Sequence, residues 1–162
     1  MSVHGVDPAE FRQLLGRFAT GVSVLTTRDA QGRPVGMTAS ALASVSLEPP
    51  LLLVAVSRTH DMHAALEGAE RFVVNVLAAD QEAISRRFAA EGLDRFDGVG
   101  YHESRYGLPV LDGVLASIEC ETQGAVAGGD HTVFFGRVTA GSVTDRSPLL
   151  YYRGGYTELR GA

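Results

Sequence analysis

The spacing of strand-like segments is the feature that most restricts how this chain folds. Turn-forming residues, rather than helices long enough to bridge parallel strands, separate most of these segments. The order is therefore not an alternation of strands and helices. About six or seven strands and two or three helices favour a mainly β, antiparallel barrel with helices packed outside it. The predicted strands cover residues 22–27, 34–40, 51–56, 71–77, 117–128 and 131–141, and a last strand begins at residue 149 and runs into the Gly-Gly turn at residues 154–155.

Helices are predicted before and between these strands. Asp7 caps the first helix, which ends before residue 20, and a short second helix begins at residue 61 and ends at Gly68. Asp80 caps a longer third helix over residues 81–92, and residues 93–108 are predicted to be irregular. The apolar face of the first helix carries Phe11, Leu14, Leu15 and Phe18.

Length and charge limit the possible partners. The chain has 162 residues, which suits a single domain, here predicted over residues 1–162 with a core at about 10–156. Its net charge is −5 with no basic block, so no nucleic-acid partner is expected. No apolar run reaches the roughly 20 residues of a membrane helix, and no signal peptide is visible. These features predict a cytoplasmic protein with no membrane partner.

The reactive residue types exclude several chemistries. All 14 basic residues are arginine, so no lysine is available for a Schiff base or a P-loop. An anionic ligand must then be held by arginine, hydroxyls, backbone N–H groups or a helix N-terminus. The one cysteine, Cys120, cannot form a disulfide within the chain. It is either a small core residue or, less commonly for this context, a catalytic thiol.

Familiar catalytic and metal motifs are absent. Neither the GxGxxG fingerprint nor a G-x-S-x-G elbow occurs, which disfavours a Rossmann domain and serine-nucleophile chemistry. His60, Asp61 and His63 lie close together, and two histidines three residues apart on a helix can share a metal. No third ligand stands at a recognisable spacing, so these residues are interpreted as a helix surface and no metal is predicted.

Three segments leave the choice between structure and ligand binding open. Residues 36–56 combine small Ala and Ser side chains with an apolar run, residues 51–56, predicted to be buried on both faces. Small side chains allow a flat ring to approach the backbone, but they also build an ordinary core. The Gly-Gly-Asp-His sequence at residues 128–131 is either a turn or a ligand-contacting loop. Arg86 and Arg87 are either both solvated or divided between solvent and a pocket.

The chain resembles the flavin reductase domain of the FMN-binding split-barrel superfamily. Five segments carry the resemblance, in the order FATGVSVLTT, GMTASALASVSLEPPLLLVAVSRTH, RFVVNVLAADQEAISRRFA, GGDHTVFFGRV and PLLYYRGGY. They extend over about residues 10–156. The resemblance implies an antiparallel split β-barrel with a few flanking helices, and a homodimer with flavin at or near the subunit interface.

The resemblance also implies an activity, NAD(P)H-dependent reduction of FMN or FAD. Hydride passes from nicotinamide C4 to flavin N5, and reduced flavin is supplied to a partner monooxygenase. The alternatives are a flavin-binding electron carrier, an enzyme that holds FMN permanently and acts on an organic substrate, and a split-barrel protein that has lost flavin binding. The sequence does not distinguish FMN from FAD or NADH from NADPH.

The resemblance assigns roles to individual positions. Residues implied to contact the flavin ring and ribityl chain are Gly36, Met37, Thr38, Ala39, Ser40, Ser44, Val45 and Ser46. Those implied at the phosphate are Ser57, Arg58 and Thr59, while Arg87 and Phe88 close over the phosphate and adenine side. Those implied for NAD(P)H are Gly129, Asp130, His131 and Tyr156, and His131 is expected to position the nicotinamide.

Overall fold

The computed structural model describes residues 5–92 and 94–161, and within them the chain is mainly β with three short helices. In chain order the elements are α1 (Pro8–Leu15), β1 (Thr20–Gly21), β2 (Ser23–Arg28), β3 (Pro34–Ala39), β4 (Leu42–Ser46), β5 (Leu51–Ser57), α2 (Asp61–Gly68), β6 (Arg71–Val76), α3 (Glu82–Ala89), β7 (Tyr101–Glu103), β8 (Pro109–Leu111), β9 (Ala116–Gly128), β10 (His131–Val143), β11 (Leu149–Tyr152) and β12 (Gly155–Glu158).

The main sheet has seven antiparallel strands in the order β3-β2-β6-β9-β10-β5-β4. Its two outermost strands, β3 and β4, follow each other in the chain and are joined only by Ser40 and Ala41. The sheet must therefore curl until its two edges approach each other at this link. The edges do not pair, so the sheet stays open. A second sheet has the order β1-β11-β12, and β7 pairs with β8.

One hydrophobic core fills the inside of the curled sheet. Six of the seven strands contribute buried side chains, and Leu42 of β4 packs against them from the edge. Helix α2 covers this core with Met62 and Leu66, while α3 covers a second cluster with Phe88. The predicted mainly β, antiparallel arrangement with flanking helices is confirmed. Among the described helices, none has the length and apolar character required to cross a membrane.

Helix α1 begins as predicted, but its apolar face is not buried. The Asp7 carboxylate accepts hydrogen bonds from the backbone N–H groups of Ala9 and Glu10 at 2.8 and 2.9 Å. These bonds satisfy N–H groups of the first helical turn, which have no carbonyl partner within the helix. The predicted apolar side chains nevertheless remain at least half exposed, at Phe11, Leu14 and Leu15 of α1 and at Phe18, which lies beyond the end of the helix. Within one chain, this face of the helix therefore has no partner in the described residues.

The prediction for the third helix is wrong in its cap and its length. Helix α3 has eight residues, its N-cap is Gln81, and no side chain caps it. Gln81 is held elsewhere, because its side-chain oxygen accepts from the N–H of Ala78 and its amide donates to the carbonyl oxygen of Asp112. Asp80 is instead 3.6 Å from Arg146.

Two strand predictions also need correction. Strand β5 alternates between buried and half-buried residues, so it is not buried on both faces within one chain. The curled sheet has a single enclosed face, which explains the alternation. The segment predicted as irregular contains β7, whose Tyr101 pairs with Leu111, and Leu93 lies outside the described residues. Because of such short strands, the described residues contain twelve strands rather than the six or seven predicted.

Candidate functional site

The small residues of strands β3 and β4 have different surroundings. In β3, Gly36, Met37 and Ala39 are buried, and the Thr38 hydroxyl donates to the carbonyl oxygen of Ser85 at 2.6 Å. Only Ser40, just after the strand, is exposed among the predicted ring-contacting residues of this segment. Most of this segment therefore belongs to the core of the chain.

Strand β4 is open, in contrast. It forms one edge of the main sheet, and no described strand pairs with its outer side. Ser44 and Val45 are exposed, and a bulge at Val45 separates the pairs that Ser44 and Ser46 make with β5. A bulge redirects the local backbone, and an edge strand presents unpaired N–H and C=O groups. These features suit a flat ligand with polar edges, such as an isoalloxazine.

A neighbouring aromatic ring leaves no room for a side chain at position 36, which explains the glycine there. A Cβ atom on Gly36 would lie 2.8 Å from Cε1 of Phe88 and 3.2 Å from the carbonyl oxygen of Leu25. Phe88 has no exposed surface, and its ring meets Phe96 edge-on at 5.0 Å between centroids. In this structure Phe88 therefore supports β3 from inside rather than offering a surface to a ligand.

Two residues of the predicted phosphate segment, Ser57 and Thr59, line a small cleft at the start of α2, whereas Arg58 is not among its lining residues. This Ser57 cleft has a volume of about 390 Å³ and is lined by Ser57, Thr59, His60, Asp61, Glu91, Gly92 and Arg95. The hydroxyl oxygens of Ser57 and Thr59 are 3.0 Å apart. His60 caps α2, because its Nδ1 accepts from the N–H of Met62 at 3.1 Å. Burial lowers the pKa of His60, which favours the neutral ring that this bond requires.

The Gly-Gly-Asp-His segment forms the tight turn between β9 and β10, with Gly129 at a φ of 65°. The carboxylate of Asp130 is 2.7 Å from Nδ1 of His131. The hydrogen bond from His131 lowers the pKa of Asp130 below its ordinary value. An imidazole held at Nδ1 presents Nε2 outward, and the His131 side chain is 43% exposed.

The structure brings the turn and the phosphate segment together. His131 pairs with Ser57 across β10 and β5, and the N–H of Arg58 donates to the carbonyl oxygen of Asp130 at 3.1 Å. These segments are far apart in the sequence, and only the β5–β10 pairing makes them neighbours. Tyr156 is placed elsewhere, on β12, where its hydroxyl is 2.7 Å from that of Ser85 on α3.

The two adjacent arginines of α3 point in different directions. Arg86 pairs with Glu82 at the surface, and its guanidinium lies 4.9 Å from the centre of the Tyr156 ring. Arg87 turns the other way, and donates to the carbonyl oxygens of Arg95 and Asp94 at 2.8 and 3.0 Å. Arg87 therefore holds the loop that follows α3.

Sequence reasoning missed Arg95. Its Nη1 donates to both carboxylate oxygens of Asp61 at 2.8 and 3.1 Å, and its Nε donates to the carbonyl oxygen of Ala90. The side chain is 10% exposed and lines the Ser57 cleft. Because Asp61 is 34 residues away in the chain, no local pattern could reveal this pair.

The remaining candidate residues, Cys120 and His63, are packed in the interior and have surroundings that suit a structural role. Cys120 is buried, and burial raises the pKa of its thiol to about 12, so the reactive thiolate is suppressed. His63 is buried against Phe134, with Nε2 2.8 Å from the Thr132 hydroxyl. Within residues 5–92 and 94–161, no group of three or more His, Cys, Asp or Glu side chains is placed to hold a metal ion.

Comparison with known proteins identifies the family. A family profile described as "Flavin reductase like domain" matches residues 15–160. The chain belongs to this family. It is 44% identical to the reductase subunit HsaB of a flavin-dependent monooxygenase from Rhodococcus jostii, over 98% of this chain and 82% of that protein. It is 42% identical to a probable flavin reductase of Rhizobium meliloti, over 96% of this chain but only half of that protein.

Solved structures show the same similarity in three dimensions. Superposition on the NADH:FAD oxidoreductase SgcE6 of Streptomyces globisporus, solved with NAD and FAD fragments, gives a TM-score of 0.91 at 36% identity, covering 98% of both chains. The flavin reductase PheA2 gives 0.86 at 40% identity, covering 95% of this chain and 99% of that one. The resemblance seen in the sequence is confirmed, as is the predicted class, a flavin-reducing enzyme.

Proposed function

We propose that this flavin reductase oxidises NAD(P)H and reduces FMN or FAD at a site that begins at β4 and the Ser57 cleft. The observation that carries the proposal is the hydrogen bond from the N–H of Arg58 to the carbonyl oxygen of Asp130. It joins the segment proposed to bind the flavin phosphate to the turn proposed to bind the nicotinamide nucleotide. A two-substrate reaction requires such adjacency.

The residues present suit a flavin. The edge of β4 offers exposed backbone groups and the small side chains of Ser44 and Val45 for the ring. The Ser57 cleft offers two hydroxyls and the N-terminus of α2 for the phosphate, and the guanidinium of Arg95, paired with Asp61, lies beside them. The buried members of the predicted set, among them Gly36, Met37, Ala39 and Phe88, would act by shaping β3 rather than by touching the ligand.

The flavin supplies the redox chemistry: N5 accepts the hydride that leaves nicotinamide C4, so the nucleotide is oxidised by two electrons and the flavin is reduced by two. The protein contributes orientation, because the transfer needs no protein base and well-oriented partners reach effective molarities of about 10⁵–10⁸ M. His131 would hold the nicotinamide through Nε2, while Asp130 fixes the imidazole at Nδ1.

The exposed apolar face of α1 supports a proposal for the assembly around this site. We propose that the main sheet acts as a split barrel in a cytoplasmic homodimer, with the exposed apolar face of α1 buried between subunits. That face carries three large apolar side chains, each more than half exposed in one chain, and the exposed Phe18 follows just beyond the helix. A flavin-dependent monooxygenase would receive the reduced flavin.

The test measures NADH and NADPH oxidation by the purified protein, with and without added FMN or FAD. We expect turnover that depends on added flavin. His131→Ala should raise the KM for the nicotinamide nucleotide about tenfold or more while leaving the flavin Kd within about twofold, since a hydrogen-bonded positioning contact is worth about 1.4 kcal/mol or more.

His102→Ala is the matched control, because His102 is an exposed histidine on β7 outside the site. It should change neither constant. A yellow protein that ignores NADH would identify an electron carrier instead. Loss of flavin affinity in His131→Ala, with an unchanged KM for NADH, would refute the positioning role of His131.

A further inference from the structure

His60 lies at the Ser57 cleft, although the sequence suggested only a residue on a helix surface. It stands immediately before α2 and is one of the residues that line the cleft, next to the hydroxyl of Thr59. Its side chain is 20% exposed, so most of the ring is packed against the protein. An imidazole held in this position can contact a ligand in the cleft through whichever ring nitrogen the protein leaves available.

The cap of α2 determines which nitrogen is available. Nδ1 of His60 accepts the hydrogen bond from the N–H of Met62 at 3.1 Å. A ring nitrogen that accepts a hydrogen bond carries no hydrogen, so the neutral ring must carry its hydrogen on Nε2. Within residues 5–92 and 94–161, Nε2 has no hydrogen-bond partner. The neutral ring therefore keeps an N–H donor for a ligand in the cleft.

A second proton on the ring leaves both the cap and this donor in place. Oδ1 of Asp61 is 2.7 Å from Nδ1 of His60, and it also accepts from the N–H of Met62 at 2.9 Å. When Nδ1 takes up a proton, Asp61 lies beside the new positive charge, and Met62 keeps its bond to Asp61. Nε2 carries a hydrogen in both states. His60 is therefore able to change its charge without losing its contact with a ligand.

The charges of the cleft favour the protonated ring when an anion is present. Asp61 and Glu91 line the cleft against one guanidinium, that of Arg95, which is already paired with Asp61. With a neutral His60 the lining carries a surplus of one negative charge, and this surplus opposes the entry of a phosphate. A proton on His60 cancels the surplus. An anion in the cleft and a proton on His60 therefore stabilise each other.

The chain alone favours the neutral ring. Burial lowers the pKa of His60, Asp61 on α2 raises it, and on the loop after α3 Arg95 lowers it while Glu91 raises it. A phosphate brings further negative charge and accepts from Nε2–H, and both effects raise the pKa on binding. The pKa of His60 must then differ between the free protein and the complex. By linkage, the phosphate binds more tightly as the pH falls from the pKa of the complex to that of the free protein.

We propose that His60 donates Nε2–H to the flavin phosphate in the Ser57 cleft, and that its ring takes up a proton from solvent as the phosphate binds. The proposal rests on the proposed function, because it requires the flavin phosphate in this cleft. It adds a binding residue to the segment of Ser57 and Thr59. It also accounts for an anion in a cleft whose carboxylates outnumber its arginines.

The test compares flavins with and without phosphate across a range of pH. The Kd for FAD and for riboflavin is measured by fluorescence titration between about pH 5 and pH 8, where histidine titrates. FAD is preferred to FMN, because the phosphate monoester of FMN itself titrates near pH 6. His60→Asn keeps a good capping residue but cannot take up a proton. His102→Asn is the matched control on β7, outside the site.

For the wild type, we expect the Kd for FAD to rise with pH, by up to about tenfold per pH unit between the two pKa values of His60, while the Kd for riboflavin stays constant. His60→Asn should weaken FAD about tenfold or more at the acidic end, the loss expected for a hydrogen bond to a charged group, and remove its pH dependence. Riboflavin should stay within about twofold, and His102→Asn should match the wild type. An unchanged pH dependence in His60→Asn, or an equal loss of riboflavin affinity, would overturn the proposal.

A measurement on the wild type keeps the test independent of any variant. Nitrogen NMR of the imidazole should show the neutral His60 ring protonated at Nε2, with a pKa below 6.5 in the protein alone and a higher pKa when FAD is bound. A neutral ring protonated at Nδ1, or a pKa that FAD does not change, would also overturn the proposal. Failure of the wild type to bind any flavin would overturn the proposed function instead.

Discussion

Replacing Gly36 with alanine tests whether this glycine serves the core or the ligand. The added Cβ would lie 2.8 and 2.9 Å from Cε1 and Cδ1 of Phe88, closer than such contacts occur. The ring cannot swing aside, because Phe88 is completely buried. The carbonyl oxygen of Leu25, 3.2 Å away, closes the other side. Either β3 or α3 must therefore move.

Overpacking of this kind costs about 1–3 kcal/mol of the free energy of unfolding. For a chain of this size, 1 kcal/mol corresponds to about 2–4 °C in Tm. We therefore expect Gly36→Ala to lower Tm by about 2–12 °C in a thermal unfolding scan. Gly68→Ala is the matched control, because its Cβ would meet nothing within 4 Å and alanine favours the helix. Its Tm should stay constant or rise.

A double-mutant cycle identifies Phe88 as the cause. In a Phe88→Leu background the clashing ring atoms are gone, so Gly36→Ala should cost less there than in the wild type, by about 0.5–3 kcal/mol. An equal cost in both backgrounds would show that the clash is not with Phe88. An unchanged Tm with lost flavin affinity would refute the packing argument altogether and make Gly36 a ligand contact, as the resemblance implies.

Two further predictions concern titrating side chains. Because burial raises the pKa of Cys120 to about 12, a disulfide reagent at pH 8 should label this thiol only after unfolding, and rapid labelling of the folded protein would contradict its burial. The hydrogen bond from His131 lowers the pKa of Asp130, so an NMR titration should place the pKa of Asp130 below 3.8. The contact between the two side chains should therefore persist at pH values above this lowered pKa and be lost as the pH falls through it. His131→Ala should return the pKa toward 3.8, and an unchanged value would show that His131 is not the cause.

Local signals in the sequence account for most of the strands and for the start of α1. The Asp7 cap needs only residues within one turn, and it is present as predicted. The α3 cap was mispredicted because Gln81 finds distant partners, among them the carbonyl oxygen of Asp112. Such a competing bond depends on the tertiary structure, which a window of neighbouring residues does not contain.

The site shows the same division between local and distant information. The resemblance supplied Ser57 to Thr59 and Gly129 to His131 as separate segments, and the pairing of β5 with β10 places them side by side. Arg95 could not be found, since its partner Asp61 is on another element and the arginine lies in a segment without periodicity. The features of the site that sequence reasoning misses are therefore those that depend on contacts between residues far apart in the chain.

The run of small residues that begins at Gly36 illustrates why composition alone left two interpretations open. The structure supports the packing interpretation for Gly36, and the ligand-binding interpretation stays a prediction for the exposed residues of β4. Gly36 is small because the Phe88 ring occupies the space that a side chain would need, whereas Ser44 is small and exposed on an unpaired edge. What separates them is their position in the sheet: β3 is covered by α3, and the outer side of β4 is not covered by any described strand. Because Ser44 is exposed and Gly36 is packed against Phe88, we expect variants at Ser44 to change flavin affinity with little change in stability, and variants at Gly36 to change stability.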